Sequence, residues 1–158
     1  MSEEKNMMEI WGKGLRYADS GDLIKASECY KEALESMPPK CYGASLVWWS
    51  WGELFEKVEM YDNAIECYKK SINADETNYD SYANLIELCT KLQQYETALT
   101  YVDLYLLMEP ENDTALSHKG ALLNCLNRTS EAIIYFKKAE KINPNNPQVI
   151  MAKQNGII

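Results

Sequence analysis

One spacing recurs four times in this 158-residue chain and leaves few folds open to it. It appears as Ala26, Tyr30, Ala33 and Pro38; as Ala64, Tyr68, Ser71 and Glu76; as Ala98, Val102, Tyr105 and Pro110; and as Ala132, Phe136, Ala139 and Pro144. Steps of four and three keep the first three residues of each set on one side of a helix, and the proline that follows in three of the four cannot continue it. Upstream of each set stands another: Ile10, Gly14 and Tyr17; Trp48, Trp51, Gly52 and Phe55; Tyr82, Leu85, Ile86 and Cys89; Leu116, Gly120 and Leu123. Each is a second helical stripe, and little in the chain alternates with the period of two that strands need. The chain reads as all helical.

Two helices per unit with this pattern resemble the tetratricopeptide repeat, whose 34-residue unit carries W-x2-L-G-x2-Y, then A-x3-F, then P. The resemblance covers residues 7–40, 45–78, 79–112 and 113–146. It implies an all-α, right-handed α-solenoid of four stacked helix-turn-helix repeats in a single domain over 1–158, with a short C-terminal capping helix at 147–155. Gly14, Gly52 and Gly120 fit close helix crossings; elsewhere in a helix each would cost roughly 1 kcal/mol against alanine. Lys13 and Lys119 stand where a large apolar residue is usual, Glu76 replaces the proline, and Ile86 and Tyr105 replace small residues. The third repeat is therefore expected to pack differently. Residues 41–44 are an insertion, expected to lengthen the loop after Pro38-Pro39. Asn78, Asn112 and Asn146 are expected helix caps, Thr129-Ser130-Glu131 a helix start, and Pro147 suits a first helical position. Ile157 and Ile158 are expected to be exposed.

Composition narrows the partner. A net charge of −8 and a pI near 4.7 argue against nucleic acid, whose binding needs clustered Lys and Arg. The five cysteines are scattered without a CxxC pair, which predicts reduced thiols and no metal. The segment MSEEKNMMEIW lacks the basic and apolar regions of a signal peptide, and no stretch is apolar enough to span a membrane, so a cytoplasmic protein is expected. His118 is the only histidine, no phosphate loop or HExxH is present, and an open groove does not tune paired carboxylates for acid–base work. No enzyme activity and no cofactor are expected.

In the family resembled, first helices line a concave groove that binds a segment of another protein. In that frame the groove-facing stripes are Met8, Trp11, Leu15 and Ala18; Leu46, Trp49, Glu53 and Glu56; Asp80, Ala83, Glu87 and Thr90; and Thr114, Ser117, Ala121 and Asn124, with Ser50, Asn84 and His118 adjoining. Trp11 and Trp49 hold the same place in consecutive repeats and are expected to be neighbours in an apolar patch with Met8, Leu15 and Leu46, unless the N-terminal residues or the insertion bury them. Trp48 and Trp51, with Phe55, are expected in the core. Glu53, Glu56, Asp80 and Glu87 would attract a basic residue. The family's carboxylate clamp, which holds acidic chaperone tails through Lys, Asn and Arg, finds only Asn84 compatible. The expected function is that of a peptide-binding scaffold or adaptor for an apolar anchor with basic residues. The alternatives are self-association through Val149, Ile150, Ile157 and Ile158, and reception of a small apolar ligand.

Overall fold

The computed structural model describes residues 2–158, with the side chains from residue 6 onward. Its helices are α1 (Ser2–Asp19), α2 (Leu23–Glu35), α3 (Tyr42–Lys57), α4 (Tyr61–Ala74), α5 (Tyr79–Lys91), α6 (Tyr95–Met108), α7 (Asp113–Cys125), α8 (Thr129–Ile142) and α9 (Pro147–Gln154). They form four helix pairs and a final single helix, the all-α architecture expected from the repeats. No helix among the described residues is long and apolar enough to cross a membrane. The chain divides within α5 into two compact units, one ending at Asn84 and the other Leu85–Ile158.

The first helix of every pair ends in the same way. After α1 the N–H of Asp22 reaches the carbonyl of Tyr17 and that of Gly21 reaches Ala18; Met60 to Phe55, Gln94 to Cys89 and Arg128 to Leu123 repeat the longer bond. This double closure needs a left-handed residue after the helix. Gly21 supplies it at no steric cost, whereas Glu59, Gln93 and Asn127 adopt φ near 60° with a side chain. Helix α9 closes identically through Gly156, so it stands where the first helix of a further unit would.

The glycines mark close crossings. A Cβ on Gly14 would lie 2.7 Å from the Tyr30 ring, one on Gly52 2.5 Å from Tyr68, and one on Gly120 3.0 Å from Phe136. At the equivalent places of the third repeat the sizes are exchanged: Ile86 stands in place of the glycine and Val102 in place of the aromatic, both buried. That repeat is packed differently, as its sequence predicts, because volume gained on one helix is given up on the other. Lys119 holds its ammonium 4.2 Å from the centroid of the Tyr135 ring and pairs it with Asp103 at 2.6 Å.

In the first unit Ala26, Tyr30, Ala33, Val47 and Leu54 form a core. Beside it Ser45, Ser71, Ser81 and Asn78 are buried polar groups that satisfy one another, with Asn78 Nδ2 donating to Ser45 Oγ at 2.9 Å and Ser71 donating to the Ser45 carbonyl at 2.7 Å. In the second unit Leu116, Ala139 and Val149 cluster, with Ile158 packed on them. The tail is thus half-buried on its own unit rather than exposed, because Gly156 turns the chain back. Asn78, Asn112 and Asn146 each accept a backbone N–H at a helix start.

The insertion is a correction. Residues 42–44 are not loop but the first residues of α3, with the Cys41 thiol accepting from the Ala44 N–H at 3.3 Å. The prolines stop short of Cys41, a residue with a side-chain acceptor can start a helix there, and Ala44 gains a buried position.

Candidate functional site

The predicted stripe divides between the two units, and each part has its own character. In the first unit Met8 is exposed, while Trp11, Leu15, Leu46 and Trp49 are half-buried. Any cover from residues 1–5 lies outside the described side chains. What stands beside Trp11 is Ser50: the indole Nε1 donates to Ser50 Oγ at 3.1 Å, and that hydroxyl donates to the Leu46 carbonyl. Trp11 and Leu15 also pack on the core of the first unit, so Trp11 is in part structural. Trp49 differs. Its Nε1 is buried and without a hydrogen-bond partner among the described residues.

Trp48, Trp51 and Phe55 stack along α3, with centroids 5.4 and 6.0 Å apart and planes nearly parallel. They form the single stripe expected, but they are half-buried rather than sealed in the core. The Lys70 ammonium lies 4.4 Å from the Trp48 ring centre and finishes the stack on the solvent side.

Glu53 and Glu56 lie on the adjoining stripe of α3. Burial raises the Glu53 carboxyl above the ordinary carboxylate range; Lys57 opposes the rise, and Glu56 and Asp80 add to it. Glu56 accepts a 2.9 Å hydrogen bond from Tyr68, whose oxygen in turn accepts one from Asn84 Nδ2 at 3.2 Å. Three helices are thereby tied at one spot: α3 by Glu56, α4 by Tyr68 and α5 by Asn84. Tyr68 was legible only as a core aromatic. Its polar tip, which buried tyrosines usually partner, is what organises the site. One repeat earlier, the counterparts of Glu56 and Asn84 are Ala18 and Ser50. The equivalent Tyr30 hydroxyl accordingly has no partner among the described residues. Burial first, then the charges of Asp19 and Glu53, push its phenol up to about 12.

The second unit holds a pocket of about 460 Å³. Ile86, Ala121 and Leu122 give it apolar walls; Glu87, Thr90, Lys91, His118 and Gln148 supply polar ones. Glu87 and His118 both line it. Burial lowers the His118 pKa below the usual imidazole value, and Glu87 works against that shift, so the ring is neutral at pH 7. Gln148 was missed. It comes from α9, which reads as a cap in sequence but whose second residue falls where a further unit would place a groove position. Among the described residues no group of three or more His, Cys, Asp or Glu could hold a metal ion, and none of the five cysteines forms a disulfide.

With this geometry in view, the likeness to known proteins is specific. The tetratricopeptide repeat model matches residues 47–78 and 114–146. The chain is 28% identical over 95 residues to human RNA polymerase II-associated protein 3, a match covering 60% of this chain but only 14% of that protein's length. It superposes on a tetratricopeptide repeat protein from Parabacteroides merdae with a TM-score of 0.78 and 24% identity, over 96% of this chain and 61% of that one. It also superposes on the first tetratricopeptide domain of Spaghetti bound to the HSP90 peptide SRMEEVD, with a TM-score of 0.66 and 24% identity, over 77% of this chain and 95% of that one. Matched repeats at 47–78 and 114–146, a shared helix-pair fold and glycine–aromatic crossings where the pattern requires them show tetratricopeptide repeats in this chain and a tetratricopeptide repeat fold.

Proposed function

We propose that the chain is a protein-interaction adaptor that binds a partner segment carrying an apolar anchor and at least one basic residue. The observation that carries this reading is Glu53: a half-buried carboxyl next to Glu56 and Asp80, with Lys57 as the offsetting cation. It lies one helical turn from Trp49, whose ring keeps an unused donor. A lysine or arginine brought to this spot gains from three carboxylates at once, and a tryptophan beside it is the residue type most often found at the energetic centre of an interface.

The same charges set this chain apart from the Spaghetti domain, whose bound peptide ends in acidic residues. Here Trp11, Trp49, Leu15, Glu53 and Asp80 stand where a clamp for such a tail would use Lys, Asn or Arg, and Asn84 is committed to Tyr68. Met8 and Leu46 extend the apolar side, while Glu87 and His118 give the second unit a separate place for a side chain. That pocket also supports a second reading, reception of a small apolar ligand, since its volume is within the ordinary range for ligand sites. Docking through the tail has less to recommend it, with Val149 buried and Ile158 packed on its own unit.

Selection of a displayed random heptapeptide library on the immobilised chain tests the reading. Enriched sequences should combine an aromatic or aliphatic residue with Lys or Arg, and SRMEEVD should fail to compete with them. Trp49→Ala should weaken the selected peptide by about 2 kcal/mol in a titration calorimeter. Enrichment of acidic tails, or indifference to Trp49→Ala in a chain of unchanged helicity, would sink it.

A further inference from the structure

Helix α6 is apolar on both sides. Ala98, Leu99 and Val102 are buried, yet Leu104 is 42% and Leu107 77% exposed. A helix that is apolar all round is ordinarily one covered all round. The charged residues within α6, Glu96 and Asp103, are both acidic, and Glu109 and Glu111 follow it. Asp103 is held by Lys119, so its carboxylate is fixed in place rather than free to swing away.

The second helix of the next pair, α8, carries the opposite face. Ile134, Lys137, Lys138 and Lys141 are all exposed and follow one another at i, i+3, i+4 and i+7, which puts them on one stripe. Ile142, 46% exposed, extends it. They occupy the same places in their repeat as Thr100, Asp103, Leu104 and Leu107 do in theirs. Among the described residues these three lysines form no ion pair, although the chain as a whole carries a charge of −8. Two surfaces of the same layout therefore face outward from the second unit, one acidic and apolar, the other basic and apolar.

We propose that the occupant of the α6 face is a second copy of this chain, bound through its α8 face. Leu104 and Leu107 would be covered by Ile134 and Ile142 of the other copy, and the lysines would meet Glu96, Asp103 and Glu111. A two-fold axis makes the contact twice, α6 on α8 and α8 on α6, which is the self-complementary form that most small oligomers take. This surface is separate from the one assigned to the partner segment, so the two proposals stand or fall independently.

Sedimentation velocity of the full chain over a concentration series decides it. A dimer is expected, dissociating as salt is raised because exposed charge pairs are screened. Leu107→Lys, and separately Lys138→Glu with Lys141→Glu, should each weaken the dimer by about tenfold or more while circular dichroism stays unchanged. Adding Glu96→Lys and Glu111→Lys to the double glutamate chain puts cations on the α6 face opposite the new glutamates, keeps Leu104 and Leu107, and should restore association. A chain that stays monomeric throughout, or a dimer indifferent to these changes, overturns the proposal.

Discussion

At Gly52 an added methyl would stand 2.5 Å from the ring of Tyr68, and that ring cannot yield, since its hydroxyl is tied to Glu56 and Asn84. At Gly14 the opposing Tyr30 has a free tip, and at Gly120 the clearance from Phe136 is larger. Alanine substitution should therefore destabilise most at Gly52, by about 2–3 kcal/mol in urea unfolding, and least at Gly120, by about 1 kcal/mol. The glycines themselves were legible from spacing; this ranking was not, because it depends on what holds the opposing ring. Glu53 yields a pH prediction. Its carboxyl is raised in the folded state, so the folded chain binds more protons than the unfolded one between the two pKa values. It thus costs stability at neutral pH, a cost that disappears as pH falls below the unfolded value near 4.5. Glu53→Gln should raise the melting temperature at pH 7 and leave it unchanged near pH 4. Binding of a basic peptide should weaken as acid protonates Glu53, and this loss should be absent in Glu53→Gln.

Elements were legible wherever one local signal decided them. The stripes at steps of three and four gave the helices, and Asn112 and Asn146 act as the caps they resemble. The start of α3 was misread because two prolines and a glycine outweighed a thiol that few sequence rules treat as a cap. The left-handed positions closing the first helices went unread in α3, α5 and α7, since Glu59, Gln93 and Asn127 do not advertise φ near 60° as Gly21 does. A side chain there is strained by about 1–2 kcal/mol, partly offset by the lower entropy cost of fixing a non-glycine residue. Glu59→Gly should thus stabilise the chain by about 0.5–1 kcal/mol in denaturant titration. Gly21→Ala should destabilise it although nothing lies within 4 Å of the added carbon.

For the whole molecule, fold was the readable layer and the site only half so. Repetition multiplies a weak pattern four times, whereas the site depends on which polar tips happen to meet: Glu56 with Tyr68, and Gln148 reaching a pocket from a helix expected only to cap. That last helix is held by more than apolar burial. Asn146 caps α9 and also donates to Asp113 at 2.8 Å, and Asn143 donates to the same oxygen at 2.9 Å. These bonds hold the Asp113 carboxyl below the usual carboxylate range, so their contribution is complete above the unfolded pKa and is lost as pH falls through the lower, folded one. Asn146→Ala should cost about 1–2 kcal/mol near neutral pH, more than Asn112→Ala, with the excess fading in strong acid. A different consequence follows from the residues that joined α3. Three residues add about 4.5 Å to a helix, and because residues 36–41 before them are not helical, they lengthen α3 without turning the stripes that follow. A chain of this kind can therefore take up extra length at a helix start and leave its tryptophan row where it was.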